Sequence, residues 1–226
     1  MSARFIAIIL CLMGTLAFGQ SIPYERFKPG DLLFQNLDCG ELCDAIERVT
    51  TGHQGMDFSH VGIIVKQGDS LMVEEAYGKT VHLTPLNEFF SRVLDESGTP
   101  KVIGARVLNT YSSIAKKAAL DALTYLDRPY DDKFLPVPDA LYCSELIYFA
   151  FKDANKGSDF FPMEGMTYKD PSTGQTMEVW KNYFAKLNMA VPEGELGCNP
   201  GGLSRSDKLE IIFDGVEFLR NFSPER

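Results

Sequence analysis

The chain has 226 residues, of which 45% are hydrophobic, and carries a formal net charge of −9. This length suits one well-packed domain with material left over for an insertion. An acidic chain without a basic run is a poor candidate for binding nucleic acid or an anionic lipid surface.

The N-terminal segment has the features of an export signal. Its apolar run from Phe5 to Leu16 is too short to span a bilayer. Residues 17–19 (AFG) match a small-x-small cleavage pattern, which predicts a signal peptide over residues 1–19. Cys11 lacks the small preceding residue that lipidation requires, so lipidation is disfavoured. We therefore expect an exported protein, periplasmic or extracellular, without a stable membrane span and with residues 20–226 as a single domain.

The predicted elements are short strands and helices in mixed order. Strands are predicted at 31–35, 60–65, 71–77, 80–83, 101–108 and 208–213. Helical spacing or capping predicts helices at 40–51, after Thr84 with Pro85 at the first position, at 112–126 and from Cys143 to about Phe151. The pattern indicates an α+β fold in which a small antiparallel sheet packs against helices.

Residues 155–207 differ from the rest of the chain. They are polar and contain glycines and prolines around one amphipathic segment, in which Trp180 and Phe184 share a helical face. A stretch of this length exceeds what a connection needs, and its aromatic content argues against disorder. We expect a substrate-side insertion that walls an apolar pocket beside Cys143, suited to an acyl or aromatic group. The alternative is that its apolar residues only extend the core.

A base and a thiol nucleophile stand out among the polar residues. His60 opens an apolar strand, and Cys143 lies at the start of a predicted helix. A helix N-terminus and a nearby imidazole both favour the reactive thiolate. Cysteine hydrolases of the papain type need this pair, but in papain the cysteine comes first. The reversed order indicates a circular permutation of the same site.

The hairpin between the second and third strands supplies a third catalytic candidate. If Gln67 pairs with Ser70, the register places Glu75 on the face of His60. The two residues are then diagonal neighbours, within reach of each other. A slip of one residue would instead bring Glu74 to that face. A carboxylate on one imidazole nitrogen would fix the tautomer and stabilise the imidazolium.

The remaining cysteines and histidines leave several possibilities open. Four cysteines follow the predicted signal peptide: Cys39, Cys43, Cys143 and Cys198. Export favours pairing, and with Cys143 kept reduced, Cys198 can pair with either of the first two, or all three can be buried thiols. A zinc site built from His53, His60 and one of the first two cysteines lacks tight ligand spacing. We therefore predict neither a metal nor another cofactor.

Five motifs together resemble a known family. In chain order they are 30–34 (GDLLF), 59–63 (SHVGI), 73–76 (VEEA), 128–131 (RPYD) and 142–146 (YCSEL). They resemble the permuted papain-like branch of the NlpC/P60 superfamily, the YiiX/YaeF-like amidases. The resemblance implies a permuted papain-like α+β core and a Cys-His-polar triad placed on Cys143, His60 and Glu75.

These observations predict an exported cysteine hydrolase of the amidase or peptidase type. Its substrate would be a small molecule, a peptide or a lipid-like compound, with cell-wall peptides and lipid-linked acyl groups as the first classes to test. The alternatives are an acyltransferase or thioesterase that uses the same acyl-enzyme, and a binding module that has lost activity. The intact Cys143, His60 and Glu75 argue against the last. The sequence makes no prediction of the oligomeric state.

Overall fold

The computed structural model describes residues 22–137 and 139–215. The predicted signal peptide therefore lies outside the described residues. The strands are β1 (Leu32–Gln35), β2 (His60–Gln67), β3 (Ser70–Tyr77), β4 (Thr80–Pro85), β5 (Val102–Val107), β6 (Glu164–Gly165), β7 (Leu196–Gly197) and β8 (Leu209–Asp214). The α-helices are α1 (Glu41–Val49), α2 (Leu86–Ser91), α3 (Ser112–Ala122), α4 (Cys143–Ala154), α5 (Glu178–Lys186) and α6 (Pro200–Ser204).

Six of the strands form one antiparallel sheet in the order β4-β3-β2-β1-β5-β8. Gln67 pairs with Ser70 and Ile63 pairs with Glu74. The predicted hairpin register is therefore confirmed, and so is the α+β fold with an antiparallel sheet. A two-residue turn sets this register, since Gly68 adopts a positive φ of 59° that matches the twist of the strands.

Helices cover both faces of the sheet. On one face, α3 and α4 pack against alternate residues of β2 such as Val61 and Ile63. On the other face, Phe89 and Phe90 of α2 pack against Ile64. Because both faces are buried, the strands are apolar at nearly every position.

The chain runs along the edge of β4 before it enters α4. The backbone N–H of Val81 donates to the carbonyl of Arg128 at 2.9 Å, and the N–H of Asp127 donates to the carbonyl of Val81 at 3.0 Å. The N–H of Tyr130 donates to the carbonyl of Lys79 at 2.8 Å. Residues 127–130 therefore pair with the β4 edge of the sheet, and α4 follows shortly afterwards.

The prediction that Thr84 caps a helix is wrong. Strand β4 continues through Pro85, and α2 begins at Leu86. Thr84 is buried, and its hydroxyl donates a hydrogen bond to a carboxylate on β3. A buried polar group needs such a partner, and this need outweighs the local capping preference.

The cysteines pair differently from either possibility considered above. Cys39 and Cys43 form a disulfide at the start of α1, with Cα atoms 5.4 Å apart. Cys39 lies just before α1 and Cys43 in its first turn, and this Cα separation is in the normal range for a disulfide. Cys198 is a buried free thiol near the start of α4. Within the described ranges, no helix is long and apolar enough to cross a membrane.

Candidate active site

His60 and Glu75 form a buried hydrogen-bonded pair on the α2 side of the sheet. Nε2 of His60 lies 2.6 Å from Oε2 of Glu75. The two residues expose only 3% and 0% of their surface. The bond follows from the β2–β3 register, which places both side chains on one face as neighbours.

Two further side chains hold the Glu75 carboxylate. Arg92 donates from Nη1 to Oε2 at 3.0 Å and from Nη2 to Oε1 at 2.7 Å. Thr84 Oγ1 donates to Oε1 at 2.5 Å. Burial alone would raise the pKa of Glu75, but the hydrogen bonds from His60 and Arg92 hold that pKa well below its usual range. Glu75 is therefore a fixed carboxylate anion whose two oxygens each accept two donors.

Aromatic rings fix the geometry of this pair. The Arg92 guanidinium lies 4.4 Å from the Tyr77 ring centroid and 5.5 Å from that of Phe89. The His60 ring contacts the same two rings at centroid distances of 5.4 Å and 6.1 Å. The imidazole consequently has little freedom to rotate away from Glu75.

Cys143 is the first residue of α4, and its side chain interacts with that of His60. Since Nε2 of His60 is engaged by Glu75, Nδ1 is the nitrogen left for the sulfur. Burial would lower the pKa of His60, but the interactions with Cys143 and Glu75 outweigh it and raise the pKa to about 9. The imidazole is therefore a strong proton acceptor for the Cys143 thiol at neutral pH.

Helix α4 and the His60 ring lie on opposite faces of the sheet. The buried side of α4, which includes Leu146 and Ile147, packs in the cluster that contains Val61 and Ile63. The His60 ring instead contacts Phe89 on the other face of the sheet. Cys143 and His60 make their contact where α4 and β2 each begin.

Cys143 also lines a cavity of about 290 Å³. About half of its lining is apolar or aromatic, and six of the residues that supply this part are Ile46, Val49, Phe134, Met166, Tyr168 and Trp180. This volume is at the lower end of the range for small-molecule sites, and the chemistry of the walls is typical of them.

Part of the 155–207 segment forms one side of this cavity. Residues 164–168 and 198–200 line it together with Trp180 and Cys143. The segment is anchored to the start of α4, because Ser144 Oγ donates to the Cys198 carbonyl at 3.2 Å. The Cys198 N–H in turn donates to the Tyr142 hydroxyl at 3.0 Å. The stretch in which the sequence placed a pocket wall thus lies directly beside the thiol.

The cavity and the nearby core contain three titratable groups whose pKa values are raised by burial. Burial, followed by the charge of nearby Glu145, raises the pKa of the Cys198 thiol well above its usual range. Burial and the neighbouring Asp131 raise the pKa of Glu145 to about 9, and burial raises that of Glu74 to about 8. Glu74 follows the alternation predicted from the register, since it is buried on the face opposite Glu75. These groups are neutral at neutral pH, unlike Glu75.

Sequence reasoning missed Arg92, Thr84 and Tyr130. Arg92 lies seventeen residues from Glu75, just beyond α2, and no spacing rule links a helix end to a strand carboxylate. Tyr130 lines the cavity with Cys143, and its pKa is raised by burial and by the charge of Cys143. A signal for Tyr130 was present, because it belongs to the 128–131 motif just before α4.

Comparisons with known proteins agree with this architecture. The model of the permuted papain-like amidase family YaeF/YiiX, C92, matches residues 26–213. The uncharacterized protein YiiX of Escherichia coli K12 is 32% identical over 195 residues, which cover 85% of this chain and 90% of that protein. The crystal structure of YiiX from Escherichia coli O157:H7, described as a metalloprotein, superposes with a TM-score of 0.68 at 24% identity. That match covers 84% of this chain and 98% of the other. The match over 188 of its residues and the identity to YiiX show that this chain belongs to the YaeF/YiiX family of permuted papain-like amidases.

Proposed function

We propose that this protein is an exported cysteine hydrolase that cleaves an amide or a related acyl bond. The observation that carries the proposal is the buried hydrogen bond of 2.6 Å between His60 and Glu75, with the Cys143 side chain interacting with the same imidazole. A nucleophile that contacts a base, which is in turn oriented by a third group, is the arrangement that covalent acyl transfer requires.

In the proposed mechanism, the Cys143 thiolate attacks the carbonyl carbon of the substrate. His60 accepts the thiol proton, and its raised pKa, about 9, lets it hold that proton as an imidazolium at neutral pH. The imidazolium then donates the proton to the leaving amine, and a water molecule activated by the same nitrogen hydrolyses the acyl-thioester. Each cycle consumes one water and returns Cys143 and His60 to their starting protonation states.

Glu75 acts as a positioning residue. It binds Nε2 and so directs Nδ1 of His60 toward the sulfur. The developing oxyanion would be stabilised by backbone N–H groups at the start of α4. The hydroxyl of Tyr130, which lines the same cavity, is a second candidate donor.

The YiiX protein of Escherichia coli O157:H7 is described as a metalloprotein, but no step of this mechanism uses a metal. Among the described residues, no group of three or more His, Cys, Asp or Glu side chains is placed to hold a metal ion. Both oxygens of Glu75 are engaged by Arg92, and the Cys39 sulfur is bonded to Cys43. The donor set around Cys143 therefore does not fit a metal centre.

Export is proposed from residues 1–19 alone. N-terminal sequencing of the protein recovered from expressing cells tests this proposal. A mature N-terminus at Gln20 is expected, and a retained Met1 would contradict it.

A direct test of the activity uses fluorogenic amide, ester and thioester panels with short acyl and peptidyl groups. The chain starting at Gln20 should turn over at least one amide, and mass spectrometry of quenched reactions should find the acyl group on Cys143. Cys143→Ala and His60→Gln should abolish turnover, whereas His53→Gln, a histidine outside the site, should leave it unchanged. Turnover that survives Cys143→Ala would refute the proposal. Acyl transfer to an added amine in preference to water would instead identify a transferase.

A further inference from the structure

We propose that Arg205 is an anion-recognition residue of the cavity beside Cys143. The preferred substrates would then combine an apolar or aromatic part with a carboxylate or phosphate group. This inference deepens the proposed function and rests on it, because it takes the cavity beside Cys143 as the substrate site. It concerns which molecules bind there, which the catalytic side chains do not decide.

Arg205 occupies an uncommon position on the cavity lining. Of the described residues that line this cavity, it is the only cation, and the lining also contains apolar and aromatic side chains such as Trp180 and Tyr168. It also lines a neighbouring cavity of about 320 Å³, so it lies at the boundary between the two. A single charge beside an apolar wall fixes the orientation of a ligand that carries the opposite charge.

The guanidinium of Arg205 has no ion pair or side-chain hydrogen bond within the described part of the chain. Three other arginines are each paired with a carboxylate: Arg48 with Asp170, Arg92 with Glu75, and Arg106 with Asp31. An unpaired guanidinium offers a planar fork of donors that fits a carboxylate or a phosphate in a bidentate manner.

The backbone under Arg205 is firmly held, although its side chain is exposed. Arg205 is the C-cap of α6, and its N–H donates to the carbonyl of Gly202 at 3.2 Å. The preceding Ser204 is buried, and its hydroxyl accepts a hydrogen bond from the His53 N–H at 2.9 Å. A fixed backbone keeps the guanidinium near the cavity, so the backbone here need not be ordered when an anion binds.

One opposing charge also lies on the lining. Glu164 borders both cavities and is exposed, and no ion pair joins it to Arg205. A carboxylate at this place weakens anion binding, since like charges repel across the cavity. Removing the charge of Arg205 should therefore weaken the binding of an anion, whereas removing the charge of Glu164 should strengthen it.

The test uses Trp180, the single tryptophan of the chain, as an internal reporter. Trp180 is 2% exposed and lines the cavity, so an occupant changes its fluorescence. Wild-type protein is titrated at low ionic strength with 4-phenylbutyrate, with the neutral 4-phenylbutyramide and with phenethyl phosphate. Calorimetry on the same samples gives an independent dissociation constant.

We expect at least one of the two anions to bind about tenfold more tightly than the amide, a modest factor because the guanidinium is exposed. The ratio between the two anions then identifies a carboxylate or a phosphate as the natural group. Arg205→Gln should reduce the preference to about twofold or less. Lys116→Gln, which removes a cation from the exposed face of α3, should retain the preference, and Glu164→Gln should strengthen anion binding about two- to threefold.

The proposal is wrong if wild-type protein binds neither anion more tightly than the amide, or if Arg205→Gln keeps the preference in a folded protein. Thermal melts of each variant establish folding. Binding requires no bond cleavage, so the titrations are repeated on Cys143→Ala. A chain that prefers anions through Arg205 but hydrolyses nothing would refute the proposed function alone.

Discussion

The replacement Glu75→Gln tests the proposed role of the carboxylate while keeping the size of the side chain. Oε2 of Glu75 faces donors from His60 and Arg92, and Oε1 faces donors from Arg92 and Thr84. A glutamine must place its own NH₂ group against one of these pairs. Whichever way the amide turns, one set of donors loses its acceptor and the anion that stabilises the imidazolium disappears.

The magnitude follows from the pKa of His60, which is raised from 6.5 to about 9. The interactions of His60 with Cys143 and Glu75 raise this pKa against the cost of burial, so the loss of Glu75 should lower the His60 pKa. Each unit by which the His60 pKa falls corresponds to about 1.4 kcal/mol and to a tenfold weaker proton affinity of the imidazole. Amide hydrolysis should fall further, by about 10⁴-fold, as when a triad aspartate is replaced by asparagine.

The assay is the rate of Cys143 alkylation by iodoacetamide as a function of pH, read by peptide mapping, which needs no known substrate. Below about pH 7 the Glu75→Gln protein should react about tenfold or more slowly than wild type, and the two rates should converge above about pH 10. Glu74→Gln is the matched control, because Glu74 is the adjacent buried carboxylate on the other face. Equal effects of the two substitutions in folded proteins would show that Glu75 does not act through His60.

Four further outcomes are expected. Native, reduced protein should be alkylated at Cys143 well before Cys198, because burial and the Glu145 charge raise the pKa of the Cys198 thiol; faster labelling of Cys198 in peptide maps would contradict the site. Tyr130→Phe should lower kcat about 10²-fold with little change in KM if its hydroxyl donates to the oxyanion; an increase confined to KM would assign it to binding. Glu74→Gln should stabilise the fold increasingly from about pH 4.5 to about pH 8, because burial raises the Glu74 pKa to about 8 and the wild-type fold loses stability as its unfolded chain ionises first. The gain should be on the order of a few kcal/mol in urea unfolding, and a pH-independent difference would refute this reasoning. Loss of the Cys39–Cys43 disulfide through a double alanine substitution should cost about 2 kcal/mol of unfolding free energy, the value expected for so short a loop; an unchanged melting temperature would contradict it.

The sequence predicted those features that depend on local periodicity. The strands, the start of α4 and the β2–β3 register follow from alternation, helical spacing and a two-residue turn, and the register alone brings Glu75 to His60. Features that depend on contacts between residues far apart in the sequence could not be predicted. Arg92 approaches Glu75 from beyond the end of α2, and a buried carboxylate redirects Thr84 from a capping role into a strand. The Cys39–Cys43 disulfide was not predicted for a related reason. The sequence spacing of the two cysteines suited a helical turn, but it did not show that α1 starts between them.

The pairing of residues 127–130 with β4 links the position of the nucleophile to the protection of a sheet edge. An outer strand with free backbone groups is a template for association with other molecules. Here Val81 of that strand is satisfied by Asp127 and Arg128, the same stretch that leads into α4 and Cys143. In a molecule in which this stretch has not docked, Cys143 is out of position and the β4 edge exposes unpaired backbone N–H and C=O groups. Docking of this one stretch therefore covers the sheet edge and places the nucleophile in a single step.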